Sequence, residues 1–98
     1  LERLLAREQE IVAARLDLLV MPEALLGGYP KGADFGTRVG YRTPGGRDQF
    51  LAYWEQAIDR EGPEVAELCS LARRTSTAFV VGATERAGAT LYCSALHI

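Results

Sequence analysis

Seven residues restrict this chain more than any others. Asp17–Leu18–Leu19–Val20–Met21–Pro22–Glu23 is an acid, four apolar residues, a proline and a second acid. Four consecutive apolar side chains predict a strand buried on both faces, as in a parallel sheet covered by helices. Proline has no N–H to give to a ladder, so it ends the strand. Glu23 is then carried on a fixed backbone at the strand's carboxyl end, where α/β sheets bind ligands. A carboxylate held there in a buried pocket, partly desolvated, is suited to act as a general base. The competing role is a solvated loop acid or a cap after the strand, and position alone leaves both open.

The flanking sequence supplies helices to cover such a strand. Residues 1 to about 14 predict one helix, with Leu1, Leu4, Leu5, Ile11 and Val12 on one face and Arg3, Arg7 and Glu10 on the other. Glu8 interrupts the apolar stripe. Residues 24–46 carry Gly27, Gly28, Pro30, Gly32, Gly36, Gly40, Pro44, Gly45 and Gly46 and predict a long loop. Loops of that length are commonly functional or disordered. Tyr29, Phe35 and Tyr41 favour an ordered loop whose aromatic rings pack over the core or a ligand.

Arg47 to about Asp59 predicts a second helix, with Phe50, Trp54 and Ile58 on one face and Leu51 beside them. Pro63 suits the first turn of a third helix, and Glu64 suits the positive end of its dipole. Val65, Leu68, Cys69 and Ala72 are its expected buried stripe. Ala78–Gly82 and Thr90–Ile98 predict two strands of a hairpin, joined by a polar turn at Glu85–Arg86–Ala87–Gly88 in which Glu85 and Arg86 form an ion pair. The order of elements gives an α/β class with a mixed sheet.

Composition narrows the function classes. The chain has 98 residues, 48% of them hydrophobic, which fits one globular domain or part of one. A net charge of −2 offers no basic field for nucleic acid or an anionic membrane. No apolar run is long enough to span a bilayer. Cys69 and Cys93 are too few for a disulfide framework and match no zinc spacing. With no charged-then-apolar leader in view they are expected to be reduced, cytosolic thiols. Neither sits in a loop or at a helix N-terminus, so both are expected to be small buried hydrophobes rather than nucleophiles. Lys31, the only lysine, lacks the glycine spacing and following Ser or Thr of a phosphate-binding loop. His97, the only histidine, has no evident acid or nucleophile partner and is read as structural. The chain opens inside a helical pattern and closes inside a strand-like run, so a piece of a larger enzyme is expected.

Met21–Pro22–Glu23–Ala24–Leu25–Leu26–Gly27–Gly28–Tyr29–Pro30–Lys31–Gly32 followed by Asp34–Phe35–Gly36 resembles the first signature of the nitrilases. The likeness continues through Val39–Gly40, Gly46–Arg47, Phe50, Tyr53, Ala57–Ile58, Gly62–Pro63–Glu64, Gly82, Glu85–Arg86 and Thr90–Leu91–Tyr92–Cys93. Met21 stands where that family usually has phenylalanine. The resemblance implies residues 1–98 are the N-terminal part of a single α-β-β-α sandwich domain, incomplete at both ends, with roughly 200 residues to follow.

It also implies a Glu-Lys-Cys catalytic set, of which only Glu23 lies here, as general base. The lysine and cysteine belong downstream, and neither Lys31 nor Cys93 takes their place. Tyr29 and Phe35 are the candidate substrate-binding residues. The implied substrate is a small nitrile, with no metal or organic cofactor, in a cytoplasmic homo-oligomer. The fragment alone is expected to be inactive. The alternatives are a cyanide hydratase or amidase with the same triad, and a non-catalytic module that keeps the sandwich for assembly.

Overall fold

The computed structural model describes every residue except Ala33, Gly36, Val39 and Gly40, and every remaining side chain except those of Thr37, Arg38, Tyr41 and Arg42. Gly36 and Val39–Gly40 of the nitrilase-like series, and the packing expected of the Tyr41 ring, therefore lie outside the described residues. The elements are α1 (Glu2–Leu5), α2 (Glu8–Ala14), β1 (Leu18–Val20), β2 (Thr37–Arg38), β3 (Tyr41–Arg42), α3 (Pro44–Gln56), α4 (Pro63–Thr75), β4 (Ala78–Ala87) and β5 (Thr90–His97). The main sheet has the order β1-β4-β5, parallel between β1 and β4 and antiparallel between β4 and β5. This is the α/β class with a mixed sheet that the sequence predicts. It presents one helical layer on one sheet of the implied sandwich.

The core lies between that sheet and α1, α2 and α4. Phe79, Val81 and Ala83 alternate along β4 toward the helices, and with Leu68 and Leu71 of α4 they are at most 1% exposed. Ile11, Leu26 and Ile58 complete the buried cluster, with Leu19, Val65 and Leu96 packed on its margin. Leu71 was not in the predicted stripe of α4; it is fully buried, whereas Val65, Cys69 and Ala72 are only half-buried.

Several boundaries differ from expectation for local reasons. The N-terminal helix is two helices, broken at Ala6–Arg7. The break turns the apolar stripe, so α2 buries Ile11 while Val12 stays 50% exposed. Glu8 then meets Arg74 of α4, accepting from Nε and Nη2 at 3.0 Å each, which explains the acid in the stripe. Helix α2 ends without a glycine because Arg15 itself adopts the left-handed conformation, φ 49°. Helix α3 begins three residues earlier than predicted. Thr43 caps it by accepting the Gly46 N–H at 3.1 Å, and Pro44 opens its first turn. Its expected apolar face is only partly used: Phe50 and Leu51 are exposed, and Ile58 is buried beyond the helix end.

Strand β4 runs on through Glu85 and Arg86 to Ala87, and the turn is only Gly88–Ala89. Gly88 has φ +58°, the left-handed first position that two-residue hairpin turns favour. Glu85 and Arg86 are therefore strand neighbours on opposite faces and do not pair with each other. Glu85 accepts from the Ser94 hydroxyl at 2.7 Å, and the Arg86 guanidinium lies 4.8 Å over the Trp54 ring.

Strand β1 is not covered on both sides. Leu19 points into the core, but Leu18 and Val20 are 52% and 65% exposed. A run of four apolar residues cannot show which of its faces meets helices within the same 98 residues. Helices α1, α2 and α4 cover one face, and the other leaves Leu18, Val20 and His97 exposed.

Candidate active site

The free edge of β4 is paired by three successive segments. Strand β1 matches Leu18, Leu19 and Val20 to Ala78, Phe79 and Val80, and the Met21 N–H continues the ladder to the Val80 carbonyl at 2.8 Å. Leu26 rejoins beside Ala83, donating to Gly82 O at 3.3 Å and accepting from Thr84 N at 2.9 Å. Ile58 follows beside Glu85. Between the first two segments the chain must fit residues 21–25 opposite 81–82, so about three residues bulge out of the edge. Pro22 cannot donate to the ladder, and Ala24 turns the chain back with φ +50°. Glu23 stands on that bulge.

The bulge is seated on Gly82. A Cβ at residue 82 would lie 2.6 Å from Glu23 Cα and closer still to the Pro22 carbonyl oxygen. Only a residue without a side chain lets the backbone of the candidate base pass so near the strand. The Glu23 side chain reaches on to β5, where the Cys93 thiol donates to Oε1 at 3.2 Å. That hydrogen bond to a carboxylate, with some desolvation and the negative charge itself, pushes the Cys93 thiol above its usual range. Cys93 is thus a protonated donor and not an activated nucleophile. It is also exposed, as is Glu23, where the sequence predicts a buried thiol and a buried acid.

Glu23 and Cys93 line a cavity of about 420 Å³ with Tyr29, Lys31, Tyr53 and Thr84. Thr84 sits opposite Cys93 on the ladder, and its hydroxyl lies 3.0 Å from the Tyr53 hydroxyl. Both hydroxyls reach the Gly28 carbonyl, at 3.2 and 3.3 Å, and so tie down the start of the loop that carries Tyr29. Phe35 is not in the lining. Its ring stacks on Tyr53 with centroids 5.5 Å apart and meets Phe50 edge-on. Of the predicted site residues, then, Glu23 and Tyr29 come together, and Phe35 supports a wall from behind.

Sequence reasoning gave no site role to Cys93, Tyr53 or Gly82 and did not single out Thr84. The signal for Cys93 and Thr84 was the turn: two residues at Gly88–Ala89 pair Thr84 with Cys93 and place both on one face. A larger cleft of about 720 Å³ runs beside the hairpin, lined by charges of both signs from Asp59 and Arg60 to Glu85 and Arg86, and does not include Glu23. Among the described residues no three His, Cys, Asp or Glu side chains gather as a metal site would. No helix among them is long and apolar enough to cross a membrane.

The cavity therefore offers a carboxylate to take a proton, an ammonium and phenols to orient a polar substrate, and no activated nucleophile among the described residues. The chain is 48% identical over 88 residues to a nitrilase of Bradyrhizobium diazoefficiens, covering 90% of this chain and 27% of that protein. It is 45% identical over 95 residues to a bifunctional nitrilase/nitrile hydratase of Nicotiana tabacum, covering 97% and 26%. It is 43% identical over 89 residues to an aliphatic nitrilase of Sinorhizobium fredii, covering 91% and 29%. The chain thus spans about a quarter of the length of these relatives. The carbon-nitrogen hydrolase family model matches residues 1–98. With every residue inside that match, the chain belongs to the carbon–nitrogen hydrolase family.

Proposed function

We propose that these residues are the N-terminal part of an enzyme that hydrolyses a nitrile to a carboxylic acid and ammonia, with Glu23 as general base. The observation that carries this reading is the bulge that lifts Glu23 off the β4 edge, over Gly82 and into a cavity. The base takes the proton of a thiol supplied by the parent chain, and the thiolate adds to the nitrile carbon. The resulting thioimidate takes up water and releases ammonia, and a second water hydrolyses the acyl-enzyme. A lysine, also from the parent, stabilises the developing charge as a preorganised donor. Tyr29 borders the substrate, and Phe35 sets the position of the wall behind it. No metal or organic cofactor enters this scheme. A cytoplasmic homo-oligomer belongs to the same reading.

A second reading rests on the tobacco relative, whose name couples nitrilase with nitrile hydratase. The same thioimidate, resolved the other way, gives an amide.

The experiment is kinetic. In the full-length parent, Glu23→Gln is expected to keep the fold by circular dichroism and to lower kcat by at least about a thousandfold, since it removes the proton acceptor. Near-normal turnover would take Glu23 out of the mechanism. The 98-residue chain alone is expected to release no ammonia from any nitrile. Detectable hydrolysis by it would contradict the division of the triad.

A further inference from the structure

The candidate base is held at two points, and neither is its own backbone ladder. Its Cα rests over Gly82 of β4, where even a methyl group would collide with it. Its carboxylate is met one strand further on by Cys93 of β5. The two points are rigidly related, because β4 and β5 are paired without interruption from Val80↔His97 to Ala87↔Thr90. By contrast, the segment carrying Glu23 leaves the ladder between Met21 and Leu26 and cannot fix the carboxylate by itself. A base on a bulge needs an outside constraint if it is to stay within proton-transfer reach of a nucleophile.

We propose that the β4–β5 hairpin is the seat of the Glu23 carboxylate, with Gly82 admitting its backbone and the Cys93 thiol holding the carboxylate oxygen as a hydrogen-bond donor. Cys93 is on this account a positioning residue, not a catalytic one. The carboxylate keeps the thiol protonated, so the donor is present at neutral pH and does not compete as a nucleophile. The thiol meets one carboxylate oxygen, Oε1, at the cavity lining, and on this account the other oxygen takes the substrate-side proton. The inference rests on the reading of Glu23 as base, and its test separates the two.

The test compares four proteins as full-length enzymes: wild type, Glu23→Gln, Cys93→Ser and Cys93→Val. Serine keeps a donor at this position and valine keeps the volume without one. Expected is a kcat about ten- to a hundredfold lower in Cys93→Val, from a lost charge-assisted hydrogen bond and a base displaced by a fraction of an ångström. KM should stay within about twofold, and Cys93→Ser should recover most of kcat, because the hydroxyl restores the donor. Should the β-branched valine disturb folding, Cys93→Ala removes the donor by deletion alone and carries the same expectation.

A valine or alanine variant with wild-type kcat, while Glu23→Gln is inactive, overturns the seat and leaves the base reading standing. Equal losses in the serine and valine variants overturn it also, since volume and not hydrogen bonding would then be what matters. An active Glu23→Gln overturns the base reading, and the seat falls with it.

Discussion

At residue 82 the missing side chain matters more than any side chain nearby. The atoms that a Cβ would meet there are backbone atoms of Pro22 and Glu23, which cannot rotate away. Gly82→Ala must therefore push the bulge off β4 or bend the strand, at a cost of the order of 1–3 kcal/mol for overpacking. The expected result in the full-length enzyme is a lowered Tm together with a kcat loss larger than that of Cys93→Val, because both holds on Glu23 slacken. An alanine variant with unchanged Tm and kcat would show that the Pro22–Glu23 backbone is not seated there. The sequence announces the glutamate, through the apolar run and the proline before it, but not its seat. A glycine inside a predicted strand reads as a weak point until the segment that lies across it is known. The same holds for Cys93. Its place between Tyr92 and Ser94 suggested a buried thiol, and its exposure follows from which face of β5 the helices leave open.

Elements follow the sequence where their period or caps are local, and depart from it where partners are distant. Helix α4 was readable from Pro63 and Glu64 at its start. The start of α3 was missed because Gly45–Gly46 reads as loop, although Thr43–Pro44 is a capping pair that outweighs it. Glu8 had no explanation in its own helix because its partner, Arg74, lies 66 residues away in α4.

That pair joins α2 to α4 and carries a pH dependence of definite sign. The hydrogen bonds from Arg74 hold the Glu8 carboxyl below its usual range, and Glu8 in turn holds the Arg74 guanidinium above its own. A depressed carboxyl contributes stability above its unfolded pKa and loses it as pH falls through the folded one. The raised guanidinium contributes throughout the range below its unfolded value, so the acid side alone shows the change. Glu8→Gln should thus lower Tm slightly at neutral pH and low salt, and the difference from wild type should shrink on acidification. Because both side chains are partly exposed, salt should shrink it too. A difference that grew toward acid pH would refute the assignment of Glu8 as the depressed carboxyl.

As a whole the molecule is drawn out. Its extents are 52 × 24 × 18 Å and its radius of gyration is 15.9 Å, whereas a compact chain of this length would have about 12–13 Å. One face of the sheet is finished by α1, α2 and α4, and the other leaves Leu18 and Val20 exposed beside a cavity that holds an acid but no activated nucleophile among the described residues. These two shortfalls have the same remedy if the remaining three quarters of a relative's length supplies both a second layer and the missing catalytic groups.

Val20 distinguishes that case from a sheet face that stays open. At an exposed position Val20→Asp would alter stability by no more than about 0.5 kcal/mol. Beneath a second layer it would bury an unpaired charge and cost about 3 kcal/mol or more, or abolish folding outright. The expected outcome is little change in the 98-residue chain and a large loss of Tm or of soluble yield in the full-length protein. Tolerance in both would mean that the open face of β1 is surface in the parent as well.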